Sequence, residues 1–232
     1  SESDTFRSYA DKISSIQSGG GGTVNLPDGT KFAYSTFTTV PDSIIPYLET
    51  QTNMYNMFAY CENLQTVPLF NTSSVTNMNY MFENCRSLTS VAQFDTSSVT
   101  YMSSMFYYCA SLASVPQFDT SSVTDMDSMF YYCRSLTTVP LLNVSSVTSM
   151  YSMFYNCSSL TNIGGFTGLK LNLDLRYSPL LTVDSVMNVI NNAEDISSSE
   201  PETLTLHQDV FNKLSEEQIA TASAKGWNIA AG

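Results

Sequence analysis

Five cysteines, Cys61, Cys85, Cys109, Cys133 and Cys157, recur every 24 residues. Thiols can ligate metal, pair or act as nucleophiles, and each chemistry demands a geometry. A zinc site needs its ligands to converge on one point, and the chain has no CxxC pair. Stacked repeats would instead line the sulfurs up about 4.8 Å apart, the spacing of neighbouring strands. Side chains in parallel register point alongside one another, and an odd number cannot all pair, so disulfides are not expected. The expectation is a reduced, buried ladder of small apolar groups. Ten of the eleven methionines follow the same period and read as core rather than as copper ligands.

The remaining reactive groups are sparse. The column Asn71, Asp95, Asp119, Asn143, with Asp125 and Asp127 nearby, offers oxygens to calcium. That ion takes roughly six to eight of them, so turn and cap roles suit these residues better. His207 is the sole histidine, and a triad would have to centre on His207-Gln208-Asp209 without a GxSxG elbow to support it. The pairs Glu194-Asp195 and Glu216-Glu217 read as solvated loop or cap positions. Gly19 to Gly22 lack the Lys-Ser/Thr of a phosphate loop and read as a linker. Asp127-Ser128-Met129 and Asp184-Ser185-Val186 fit an O-glycosylation triplet that is also common by chance. No catalytic residue, no metal site and no cofactor is expected.

What positions these groups is the repeat itself. Four units align: NTSSVTNMNYMFENCRSLTSVAQF, DTSSVTYMSSMFYYCASLASVPQF, DTSSVTDMDSMFYYCRSLTTVPLL and NVSSVTSMYSMFYNCSSLTNIGGF. A partial copy starts at Met54, and a worn copy, KFAYSTFTTVP, starts at Lys31. Within one unit, Asn or Asp before Thr-Ser-Ser is turn and helix-cap chemistry. Val99, Met102, Met105, Phe106 and Cys109 then have the spacing of one helical or 3₁₀ face. Leu112, Val115 and Phe118 mark a short extended piece. Pro68, Pro116 and Pro140 follow its valine and must end the strand, since proline has no N–H for a ladder.

One such unit cannot bury its apolar edge alone, whereas stacked neighbours can. A period of this kind predicts an α/β repeat solenoid with short parallel strands and short helices, capped at both ends. The divisions read as an N-terminal helix over 1–18, a Gly-rich linker and entry strand over 19–30, repeats over 31–166, and divergent repeats with a cap over 167–232. In the cap, Ser215 and Gln218 form a capping box, Leu214 and Ile219 a hydrophobic staple, and Gly226 a C-terminal stop. A helix is predicted over Val183–Asn191, and strands over Leu173–Leu175, Leu204–Leu206 and Trp227–Ala230.

Charged residues make up 13% of the chain and the net charge is −12. An acidic balance argues against nucleic acid and equally against an anionic membrane. No apolar run is long enough to span a bilayer. The opening Ser-Glu-Ser-Asp does not resemble a signal peptide, which leaves open a leader upstream.

The motif DTSSVTDMDSMFYYCRSLTTVP resembles the BspA-like leucine-rich repeats of bacterial surface proteins, over roughly Lys31 to Phe166. That resemblance implies a right-handed solenoid of leucine-rich-repeat type, extracellular or cell-surface display, and adhesion-type binding. It carries over no catalytic residues. The segment SYADKISSIQSGGGG is similar to stretches preceding such repeats in phage tail-associated proteins, so a tail-associated structural or receptor-binding role is the alternative.

The expected function is therefore non-enzymatic binding by a monomer, with a host or bacterial surface protein or glycan as partner, no nucleic acid and no membrane insertion. Two faces could carry it. The strand face repeats short polar groups, and the candidate binding residues are Thr89, Gln93, Ser114, Gln117, Thr138 and Leu141. The outer face gathers Tyr101, Tyr107, Tyr108, Tyr131, Tyr132, Tyr151 and Tyr155, a residue type that gives contact area at small entropy cost.

Overall fold

A computed structural model describes residues 26–232, so the expected N-terminal helix and most of the glycine-rich linker lie outside the described residues. It shows a repeat-like α/β fold of short parallel strands and few short helices, without a closed barrel among the described residues. A 3₁₀ turn, Asp42–Ile44, runs into helix α1, Ile45–Leu48. Strands β1 (Thr66–Val67), β2 (Ser90–Val91), β3 (Thr138–Val139) and β5 (Asn162–Ile163) recur along the repeats, with β4 (Leu142–Asn143) and β6 (Phe166–Thr167) beside them. Pairing is parallel throughout and in register at the repeat offset: Thr66 with Ser90, Ser114 with Thr138, Thr138 with Asn162. Each of these strands is two residues long. Proline follows the valine at Val67 and Val139, which is where a ladder must lose its donor.

The segment from Met102 to Cys109 corrects the helical expectation. It is a succession of turns, and the repeats hold no helix between β1 and β6. The amide hydrogens alternate between two destinations. Those of Met102, Ser104, Phe106 and Tyr108 donate to Asp125, Asp127, Met129 and Tyr131 in the next unit, at 2.8 to 3.1 Å. Those of Met105, Tyr107 and Cys109 donate back to the carbonyl three residues earlier, at 3.0 to 3.2 Å. Ser104 and Tyr108 make the reversals with φ of 55° and 60°, and the same two columns are left-handed in every unit. The Ser103 N–H donates to Asn79 Oδ1 at 2.7 Å, so every N–H of the segment is satisfied without a helix.

The inward side chains form one continuous core. Phe58, Phe82, Phe106, Phe130 and Phe154 stack with ring centroids 5.6 to 5.8 Å apart. All five cysteines are free and buried. The thiols of Cys85, Cys109, Cys133 and Cys157 each donate to the phenylalanine carbonyl 27 residues back, at 3.1 Å. Burial pushes the Cys109 and Cys133 thiols well above their ordinary value. Inside the turns, the buried hydroxyls of Thr72, Thr96 and Thr120 donate to the carbonyls of Asp95, Asp119 and Asn143 at 2.8 Å. The worn copy makes a layer too. Phe32 N–H donates to Met57 at 2.8 Å, and the Phe32 ring lies 6.1 Å from Phe58.

Beyond β6, strands β7 (Leu173–Leu175), β8 (Glu202–Leu206) and β9 (Trp227–Ala231) form a parallel sheet in that order. Helix α2, Val183–Asn192, turns Ser185, Val186, Val189 and Ile190 into the core. Helices α3 (Gln208–Phe211) and α4 (Glu216–Ala224) complete this end. The Ser215–Gln218 capping box is present, and Gly226 takes φ 84° where α4 stops. Lys225 Nζ donates to the carbonyls of Ile190, Asn191 and Ala193, neutralising the negative end of α2.

Candidate ligand-binding surface

The six residues expected to bind lie together along the strand side, and all are exposed. Their polar atoms are largely engaged between units. Thr89 Oγ1 donates to the Gln65 carbonyl at 3.1 Å. Gln93 Nε2 donates to the Gln117 carbonyl, and Gln117 Nε2 to the Leu141 carbonyl at 2.6 Å. These amides join one layer to the next, as an asparagine or glutamine ladder does in stacked sheets. Ser114 and Thr138 pair through their backbones, and Leu141 leaves an apolar side chain 41% exposed.

The column considered for calcium has a different use. Oδ1 of Asn71, Asp95, Asp119 and Asn143 accepts both the N–H and the hydroxyl of the serine two residues on, at 2.7 to 3.1 Å. These are side-chain-closed turns, not caps of a helix. Among the described residues no three His, Cys, Asp or Glu side chains gather as a metal cluster would. His207 Nδ1 accepts the Asp209 N–H at 3.2 Å and caps α3. Ser185, in one of the two possible glycosylation triplets, is buried and accepts the Ile163 N–H at 2.7 Å, so that triplet is closed to modification.

The outer face is organised far beyond what the sequence implied. Tyr107, Tyr131 and Tyr155 stack at 4.7 Å, with interplanar angles of 9° to 10°. Tyr108 and Tyr132 stack beside them at 4.5 Å, and Tyr177 continues the file 4.3 Å from Tyr155. The left-handed backbone at Tyr108 and Tyr132 sets those rings beside the first column. The phenols of Tyr107, Tyr131 and Tyr155 titrate late. Burial first, and then neighbouring tyrosines, hold Tyr107 and Tyr131 above the ordinary phenol range, while for Tyr155 the proximity of Tyr177 leads.

The file ends in a hollow of about 530 Å³ where the repeats meet the terminal sheet. Tyr151, Tyr155 and Tyr177 form its aromatic side, and Asn172, Asp174 and Thr205 its polar side. Arg176 Nε lies 2.9 Å from both carboxylate oxygens of Asp174, which fixes the two charges. Tyr151 stands 79% exposed at the rim. Such a hollow can hold a flat polar ring by stacking and hydrogen bonds.

Fold and surface together define a repeat-type protein with an aromatic track on one side. Residues 52–166 match the model of a family described as Mycoplasma protein of unknown function, DUF285, a repeat family related to BspA-type proteins. No curated protein and no solved structure matched the chain.

Proposed function

We propose that this chain is a non-enzymatic bacterial surface or secreted binding protein, its stack a leucine-rich-repeat-type solenoid, and that it grips an extended glycan or polypeptide on the tyrosine side. The observation that carries this reading is the stacked file from Tyr107 to Tyr155, continued by the tilted ring of Tyr177, which opens into the hollow at Tyr151. Rigid, regularly spaced aromatic rings supply contact area with little ordering cost. The strand side is the weaker candidate because its glutamine amides already serve the stack.

The test is an array of glycans and matrix proteins probed with a multivalent sample of the wild type and of two double variants. Tyr131→Ala/Tyr151→Ala should lose the bound ligand, and Gln93→Ala/Gln117→Ala should keep it. Loss in the glutamine variant alone would return the site to the strand side. A well-folded sample that binds nothing would sink the binding function.

A further inference from the structure

Between Lys31 and Lys170 the chain has two basic residues, Arg86 and Arg134. Both stand directly after a cysteine of the column, two repeats apart, and the unit between them has Ala110 at that position. A methyl group flanked by two long cationic side chains leaves a gap. The gap is a hollow of about 200 Å³ lined by Arg86, Tyr108, Ala110, Tyr132 and Arg134. The Arg134 guanidinium lies 4.8 Å from the centre of the Tyr132 ring, and Arg86 Nη2 donates to Asn84 Oδ1 at 3.3 Å. Both cations are therefore held in place. The Lys/Arg–carboxylate ion pair among the described residues is Arg176–Asp174, so neither guanidinium is paired with a carboxylate of the described residues.

We infer that this hollow is a subsite for an acidic saccharide, whose carboxylates on alternate sugars meet Arg86 and Arg134 while the sugar between them lies over Ala110, against the edges of Tyr108 and Tyr132. The inference rests on the tyrosine side being the ligand surface, and it names the ligand's chemistry. Guanidinium groups bind carboxylate through paired, charge-assisted hydrogen bonds. The two arginines are separated by two layers, on the order of 9–10 Å. A pyranose ring advances a 1→4-linked chain by a step similar to one layer, so alternate sugars of a uronic-acid polymer present carboxylates at about the spacing of the arginines. An acidic peptide fits less well. The backbone N–H groups at Tyr108, Ala110, Tyr132 and Arg134 are all used within the fold, which leaves no edge for strand addition.

Calorimetry can decide this with a uronic-acid hexasaccharide, its carboxyl-reduced neutral form, and polyglutamate. The wild type should bind the acidic sugar about tenfold or more tightly than the neutral one, a gap of ~1.4 kcal/mol or more. Added salt should narrow the gap. Arg86→Gln/Arg134→Gln should abolish the preference, so that acidic and neutral sugars bind this variant alike. Ala110→Leu, which keeps both cations but fills the hollow, should weaken the acidic sugar. Equal binding of acidic and neutral sugars would overturn the subsite and leave the tyrosine surface standing. Polyglutamate bound as tightly as the uronide would overturn it in favour of an acidic peptide, and a uronide that does not bind would overturn it outright. The tyrosine variants above, tested on the neutral sugar, separate failure of the surface from failure of the subsite.

Discussion

Phe106→Ala removes a ring with no exposed surface, lying between Phe82 at 5.7 Å and Phe130 at 5.8 Å, with Phe118 at 6.4 Å. The lost transfer energy and the cavity together cost roughly 3–5 kcal/mol for a buried phenylalanine. The flanking layers are pinned by hydrogen bonds on both sides of the ring, such as Phe82 N–H to Met105 and Phe106 N–H to Met129, so collapse into the hole is restricted and the upper half of that range is expected. Domain stability is only about 5–15 kcal/mol, so the variant should be marginal. Phe106→Leu keeps most of the volume and should cost about 1–2 kcal/mol, which keeps the comparison measurable. The control is Tyr131→Ala, whose half-buried ring stacks on Tyr107 and Tyr155 and should cost about 1–2 kcal/mol. Urea unfolding followed by circular dichroism gives all three midpoints. If Phe106→Ala proves no more costly than Tyr131→Ala, the inside and outside of the stack have been assigned wrongly.

Two further expectations concern titration. Ellman's reagent should find almost no thiol in the native protein at mildly alkaline pH and five per chain after denaturation, since every cysteine is buried; rapid labelling of the native protein would contradict the core ladder. Phenol ionisation, followed by absorbance, should lag in the native protein for Tyr107, Tyr131 and Tyr155, whose values are raised above 10.0. A raised folded value favours the protonated form, so this contribution is complete below about pH 10 and is lost as pH climbs through the folded values. Superimposable native and denatured titration curves would refute the stacked file.

Much of the architecture was legible because it is periodic. The interval between cysteines set the register, proline after Val67 and Val139 set the strand ends, and Ser215 with Gln218 announced α4. The turns from Met102 to Cys109 were not legible as turns. Their apolar residues lie three or four apart, which is equally the signature of a helix, and hydrophobic spacing alone does not separate the two. A signal was present in the residues that reverse the chain. Asn56, Asn84 and Asn156 occupy the left-handed columns, and asparagine tolerates that conformation better than most side chains, yet serine and tyrosine fill the same columns elsewhere and mask it. The tyrosine positions alone mark an outer face, but their stacking depends on the reversal at Tyr108 and Tyr132. The role of the strand-side glutamines was hidden for a related reason: repetition on a surface marks contacts between layers as readily as contacts with a ligand.

The hydrogen bonds between units run from layer to layer, and this gives the molecule a mechanical character. A pull on its two ends loads these bonds along their length, so they open like a zipper at the weakest end layer instead of shearing together. Each layer set free adds 24 residues of slack, about 80 Å of extended chain. Tethered between two surfaces, such a molecule would yield in equal steps and limit the tension felt by whatever it holds, then recover its length as the layers re-form on the intact template beneath them.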